Sequence, residues 1–179
     1  MDTTYLVDPG MVGIALLIGR VVFGLMMAAH GSQKLFGWFG GYGLHATGEF
    51  FVQLGFPPGR LFAAAASVGE VVSGLLLALG FLGPIGPALM ISVMIVAAVA
   101  VHWDNGLFAQ ANGIEVPLLY ATVALTFALT GPGPYSLDAL LGLAHLWTPK
   151  VVGSVLALGV IGGIANLMIR RRASQAQGA

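Results

Sequence analysis

The sequence contains no cysteine, and charged side chains are scarce. Without cysteine there are no disulfides, thiolate-bound zinc sites, cysteine-ligated iron–sulfur clusters, c-type haem attachments or catalytic thiols. Charged residues make up 8% of the 179 residues and hydrophobic residues 58%, whereas about 25% are charged in a typical soluble domain. The formal net charge is zero, so no bulk positive charge would attract nucleic acid. This composition indicates an integral membrane protein, whose main interaction partner is the lipid bilayer in which it is embedded.

Five apolar segments have the composition of membrane-spanning helices, which need about 20 apolar residues to cross about 30 Å of hydrocarbon. They are residues 11–29, 61–82, 85–101, 116–130 and 151–169. Residues 1–10 carry no basic side chain, so the first segment is expected to be a retained helix and not a signal peptide. The fourth segment is short for a full crossing. The pattern predicts an all-α, polytopic transmembrane helical bundle.

Basic residues are distributed unevenly around these segments, and this bias predicts the orientation in the membrane. With five crossings, the loops on one side and the C-terminal tail hold Lys34, Arg60, Arg170, Arg171 and Arg172. The opposite side holds only Lys150. The sequence therefore predicts an N-terminus outside and a C-terminus in the cytoplasm.

Two charges lie inside the first two segments, and we hypothesise that they pair. Arg20 is nine residues before the end of the first segment, and Glu70 is nine residues after the start of the second. Both side chains would then lie at similar depths, roughly 14 Å from the same side of the membrane. An unpaired charge there costs about 2.5–3.5 kcal/mol or more. The alternative to a functional pair is a salt bridge that only fixes how the helices pack.

Further polar residues fall on the predicted cytoplasmic side, where His30, Lys34 and His102 lie at helix ends. The same side holds His45, Glu49, Asp104 and Glu115, whereas Asp138, His145 and Lys150 fall on the other. Ordinary roles exist for each: a helix-end histidine often bonds backbone, and lysine often extends to lipid headgroups. A b-type haem between His30 and His102 is disfavoured because both lie at helix ends, and the spacing predicts no metal site.

Several motifs resemble the DoxX family of bacterial membrane proteins. They are LLIGRVVFG around Arg20, HGSQKLFG from His30, GEVVSGLLLALGFLGP around Glu70, NGLF after His102, GIEVPL and GPGPYSLDALLG. The resemblance implies a four-helix membrane domain over residues 1–150 in a bacterial inner membrane. Residues 151–179 depart from that plan and are expected to form an additional transmembrane helix with a basic cytoplasmic tail.

The resemblance also implies a link to quinones, because the family is named for its similarity to the DoxD subunit of thiosulfate:quinone oxidoreductase. The first functional hypothesis is therefore a quinone-linked component of a membrane redox system. Its cofactor would be quinone, with no intrinsic cofactor, and a partner subunit would bring the electron carrier. The candidate polar cluster consists of Arg20, His30, Lys34, Glu70 and His102. His30 or His102 would carry the proton, and Trp38, Phe39 and Trp103 would flank the ring.

Two alternatives remain open. One is a non-catalytic accessory subunit of a larger membrane complex, or a homo-oligomer, which the small size and apolar helices fit. The other is a small-solute or proton pathway. Against the pathway, the third and fifth segments carry no charge, and no inverted repeat is visible.

Overall fold

The computed structural model describes residues 8–170 and places no strand in that range. In that range seven α-helices follow one another, and three of their six connections contain short 3₁₀ turns. They are α1 (Pro9–Phe36), α2 (Gly43–Gln53), α3 (Gly59–Leu79), α4 (Ile85–Ala97), α5 (Glu115–Thr130), α6 (Leu137–Leu140) and α7 (Pro149–Met168). The predicted all-α, polytopic helical bundle is confirmed.

The ends of the long helices follow local sequence signals. The Asp8 side chain accepts a hydrogen bond from the Gly10 amide at 2.6 Å, and Pro9 occupies the first turn of α1. Thr148 and Pro149 begin α7 in the same way. Gly37 and Gly80 end α1 and α3 in the left-handed region, with φ of 74° and 61°, which glycine adopts without strain.

Four helices are long and apolar enough to cross a membrane: α1, α3, α7 and the helix Ile85–Asn105. The last of these is α4 continued by a π-helical turn, Ala98–His102, and a 3₁₀ turn, Trp103–Asn105. All five predicted segments are helical, although α5 has only 16 residues. α1 continues seven residues past the predicted end, from position 29 to Phe36. The expectations for residues 1–7 and for Arg171 and Arg172 lie outside the described residues.

The centre of the bundle is the contact between the antiparallel helices α1 and α3. A Cβ on Gly24 would lie 2.5 Å from the carbonyl oxygen of Gly74, so the two backbones touch. α4 packs against α3, α5 and α7. The buried apolar cluster between these helices comprises Met27, Leu77, Met90, Ile91, Met94, Tyr120 and Ala124. α7 lies at the periphery, with Gly159 and Gly163 against α4 and most of its other side chains exposed.

The polar residues divide between the two ends of the bundle, as the sequence predicts. We call these the Lys34 end, which also holds Glu70 and His102, and the Asp138 end, which holds the α3–α4 turn and residues 131–147. Lys34 is joined to Glu70 at one end, and the Asp138 backbone amide donates to the Gly80 carbonyl at the other. Arg170 returns the chain to the Lys34 end, where its Nε donates to the Leu54 carbonyl at 2.7 Å.

Candidate functional site

A cavity of about 300 Å³ opens at the Lys34 end between α2, α3, α4 and α7. Phenylalanine rings and small residues form most of its wall, among them Ala65, Ala66 and Gly69 on α3. The rings are Phe50, Phe51, Phe56 and Phe62. The polar lining residues are Lys34, Thr47, Glu70, Ser92, His102 and Asn166. A few polar groups converging on an apolar hollow are typical of a small-molecule site.

An ion pair between Lys34 and Glu70 forms the charged part of this wall. The Lys34 ammonium, on the last turn of α1, donates to Oε1 of Glu70, on the middle of α3. The Glu70 side chain is only 2% exposed, whereas that of Lys34 is 36% exposed. No described residue bonds the buried Oε2 of Glu70. The carboxylate therefore retains acceptor capacity that its lysine partner does not use.

His102 lies in the π-helical turn at the end of α4 and also lines the cavity. Its Nδ1 lies 2.7 Å from the Asn112 carbonyl oxygen. Because a carbonyl only accepts, Nδ1 carries the proton in the neutral ring, and Nε2 is left as the acceptor. The chain segment after the helix thus sets the tautomer of His102.

The hypothesis that Arg20 pairs with Glu70 is wrong. Arg20 is 2% exposed, and its Nη1 donates to the Ala78 carbonyl at 3.1 Å, near the carboxyl end of α3. That end carries partial negative charge, which stabilises a cation. The reason for the error is the helix register: α1 extends to Phe36, so Gly31 meets Ser67 and Glu70 lies level with His30. Ten residues, or about 15 Å along α1, separate the two levels.

His30 points towards a different neighbour from the other candidates. Its ring packs edge-on against Tyr120 of α5 with centroids 5.8 Å apart, and it does not line the cavity. The expected flanking aromatics Trp38, Phe39 and Trp103 are also absent from the lining and are 58–70% exposed. Of the five predicted polar residues, the structure therefore brings together Lys34, Glu70 and His102.

The aromatic wall was not identified from the sequence, although a signal for it exists. Phe50 and Phe51 belong to α2, a short helix in the glycine- and aromatic-rich stretch after α1. The sequence predicts that pieces of this stretch form interfacial amphipathic helices. It does not indicate that α2 packs against α3 and turns its rings inward.

Asp138 is a second buried acid whose role the sequence did not reveal. Its carboxylate accepts hydrogen bonds from the Leu82 amide at 2.9 Å, the Gly83 amide at 2.7 Å and the Trp147 indole at 2.7 Å. These bonds tie the α3–α4 turn to the segment before α7. The carboxylate is fully buried and has three donors, so it acts as a structural clamp. The motif GPGPYSLDALLG contains Asp138 but does not indicate which distant groups its carboxylate bonds.

The Lys34 end can bind and orient a polar head group, and it can exchange a proton. The Lys34 ammonium is a donor to a carbonyl oxygen, while Glu70 Oε2 and His102 Nε2 are acceptors for a hydroxyl proton. Within residues 8–170, no group of three or more His, Asp or Glu side chains is placed to hold a metal ion. The chemistry that these residues support is hydrogen bonding and proton transfer.

Comparison with known proteins identifies the family. The DoxX family model matches residues 15–103, which include most of α1 and all of α2, α3 and α4. The inner membrane protein YphA of Escherichia coli (strain K12) is 32% identical over 132 residues, which cover 70% of this chain and 89% of that protein. No solved structure matches the chain significantly. The sequence motifs, the helical bundle and these matches agree: the chain is a multi-pass membrane protein that belongs to the DoxX family.

Proposed function

We propose that this protein binds a quinone at the Lys34 end and serves as a component of a redox system in the bacterial inner membrane. One observation carries the proposal: an ion pair between the half-buried Lys34 and the buried Glu70 forms part of the wall of an apolar, phenylalanine-lined cavity. A location in the inner membrane is supported by the name of the Escherichia coli relative. The bound quinone would supply reversible two-electron, two-proton chemistry.

The residues present fit a quinone head group. Its ring needs flat apolar neighbours, which Phe50, Phe51 and Phe62 offer. Its oxygens need a donor in the oxidised form and an acceptor in the reduced form. Lys34 is the donor, and the unbonded Oε2 of Glu70 is the acceptor. A volume of about 300 Å³ lies at the lower end for small-molecule sites.

His102 is the proposed proton carrier between this site and the aqueous phase. The Asn112 carbonyl holds its Nδ1–H, so Nε2 is the atom that takes a proton. His102 is partly exposed at the end of its helix, whereas Glu70 is buried. A proton held at Glu70 or Lys34 would therefore leave through His102. Electrons would leave to a redox centre on a partner subunit, since the chain has no thiolate ligands.

The Lys34 end is proposed to face the cytoplasm. Among the described residues, Lys34, Arg60 and Arg170 belong to this end, and Lys150 to the other. Basic residues concentrate on the cytoplasmic side of membrane proteins. This arrangement supports proton exchange between the site and the cytoplasm.

The test is a titration of the purified protein in lipid nanodiscs with decylubiquinone, followed by tryptophan fluorescence. The wild type is expected to show saturable quenching. Lys34→Met and Glu70→Gln are each expected to weaken binding by about tenfold, because a hydrogen bond to a charged group contributes about 1.5–3 kcal/mol. Glu49→Gln is the matched control, because Glu49 is 67% exposed and outside the cavity.

Absence of saturable binding, together with absence of quinone in lipid extracts of the native protein, would overturn the proposal. The alternative function as an accessory subunit makes a different prediction. In that case Lys34→Met would reduce the recovery of a stoichiometric partner subunit and leave the turnover of the assembled complex unchanged.

A further inference from the structure

We infer that α7 forms a selective wall of the cavity at the Lys34 end and that Asn166 on this helix is a ligand-contacting residue. This inference rests on the proposed function, because it assumes that the cavity takes a membrane-dissolved ring with an apolar tail. It adds a binding residue and an entry route.

Asn166 stands out because the surrounding helix is apolar. From Gly159 to Met168 its side chain is the one polar group in α7. The Asn166 amide nitrogen donates to the Gly162 carbonyl at 2.9 Å, which leaves its carbonyl oxygen available as an acceptor. A polar group in contact with lipid is costly unless it is bonded. Asn166 is exposed and is the residue of α7 that lines the cavity, so a bound ligand's hydroxyl would donate to its carbonyl oxygen.

The entry route follows from how α2 and α7 are held. α2 packs on α3 and α7 packs on α4, but α2 and α7 barely touch each other. The link between them is the hydrogen bond from Arg170 Nε to the Leu54 carbonyl at 2.7 Å. Leu54 and Asn166 both line the cavity. The gap between α2 and α7 is therefore the proposed entry from the membrane, and the Arg170–Leu54 bond crosses its edge.

This route selects the class of ligand. A molecule that enters between two lipid-facing helices must first dissolve in the bilayer, so the geometry favours a ring that carries an isoprenoid or alkyl tail. The head group would reach Lys34 and Glu70, and a second polar atom of the ring would reach Asn166. A fully water-soluble ring without a tail would not use this opening.

The residues proposed for binding and for entry fall into two groups, one inside the segment that matches the family model and one outside it. Lys34, Glu70 and His102 all fall within residues 15–103, the part that matches the DoxX model. Asn166 and Arg170 lie beyond it. The binding chemistry thus belongs to the matched segment, whereas the wall that selects the ligand belongs to a helix outside it.

The experiment compares Asn166→Leu with Asn166→Gln in nanodiscs, again titrated with decylubiquinone. Asn166→Leu is expected to weaken binding by about 3- to 10-fold, as the loss of one hydrogen bond predicts. Asn166→Gln should recover most of the affinity because it keeps the amide. Leu158→Ala is the matched control, since Leu158 is a lipid-facing residue of the same helix with 67% exposure.

A kinetic arm tests the entry route. Arg170→Met removes the donor to the Leu54 carbonyl, so association and dissociation should both accelerate while Kd changes by less than about twofold. Lys150→Met, at the other end of α7, is the control and should change neither rate. Thermal unfolding of each variant checks that α7 remains folded.

The outcomes separate this inference from the proposed function. If the wild type binds decylubiquinone and Lys34→Met weakens binding, but Asn166→Leu and Arg170→Met behave like the wild type, α7 is not part of the site. The quinone proposal then stands without it. If the wild type shows no saturable binding and lipid extracts of the native protein contain no quinone, both proposals fail.

Discussion

At the residue scale, the two members of the Lys34–Glu70 pair differ in how easily each can reach water. The Lys34 side chain is 36% exposed on a flexible stem, while the Glu70 side chain is 2% exposed and fixed in the middle of α3. Removing one partner of a buried ion pair leaves the other charge without compensation. The cost should therefore depend on which partner is removed.

We expect Lys34→Met to lower the free energy of unfolding by about 3–5 kcal/mol, because it leaves the Glu70 charge buried and unpaired. Glu70→Gln should cost less, since the lysine is free to extend to water. The double variant Lys34→Met/Glu70→Gln should recover much of the loss. Denaturation with SDS in mixed micelles, followed by tryptophan fluorescence, measures all three. Equal losses for the two single variants would contradict this asymmetry.

Asp138 should be essential for the stability of the opposite end of the bundle. We expect Asp138→Asn to lower the free energy of unfolding by about 1.5–3 kcal/mol, because the charge-assisted bonds to two amides and the Trp147 indole are weakened. Thermal unfolding followed by fluorescence reports the loss. Asp104→Asn is the control, as Asp104 is exposed, and a similar loss in both variants would show that the buried bonds are not responsible.

At the element scale, the contact between α1 and α3 depends on the absence of side chains. A Cβ on Gly74 would lie 2.5 Å from the Ala28 amide nitrogen, and backbone atoms of α1 leave it no space. This contact also sets the register that brings Glu70 level with His30, within reach of the Lys34 side chain and about 15 Å from the level of Arg20. Helix packing at this point therefore determines which charges meet.

Gly74→Ala is expected to destabilise the protein by about 1–3 kcal/mol, because the helices must separate to admit the methyl group. Gly153→Ala in α7 is the matched control. A Cβ there meets no atom within 4 Å, and alanine is a better helix former than glycine. The melting temperature in thermal unfolding should thus fall for Gly74→Ala and stay equal or rise for Gly153→Ala. The reverse order would mean that α1 and α3 are not in close contact.

The sequence was sufficient to predict the helices, but it was not sufficient to predict which residues of different helices contact one another. Hydrophobic length predicted five helices, and parity of the crossings placed Lys34 and His102 at one end. The exact pairing failed because hydropathy marks the lipid-exposed part of α1 and not its true end at Phe36. The phenylalanine wall and the Asp138 clamp depend on contacts between distant segments, which no local pattern specifies.

At the scale of the whole molecule, the described residues are polarised, with Lys34, Arg60 and Arg170 at one end. The positive-inside rule predicts that this end is cytoplasmic. Because the chain has no cysteine, single introduced cysteines report accessibility without background. Gln110 and His145 are suitable positions, since both are exposed and lie at opposite ends.

In intact spheroplasts, a membrane-impermeant maleimide is expected to label His145→Cys and not Gln110→Cys. Both should react after permeabilisation, which serves as the control. Labelling of Gln110→Cys alone in intact cells would reverse the orientation and place the quinone site on the outer side. Labelling of both would mean that the five-crossing topology is wrong.

The short helix α5 has a consequence for the surrounding membrane. At about 1.5 Å per residue, its 16 residues span about 24 Å, several ångströms less than the hydrocarbon thickness of a typical bilayer. Its exposed leucines Leu118, Leu119, Leu125 and Leu129 face outward along this length. The neighbouring helix α1, whose His30 packs against Tyr120 of α5, has 28 residues. Hydrophobic mismatch should thin the bilayer beside α5 alone, so that the protein distorts the membrane asymmetrically and prefers thinner regions of it.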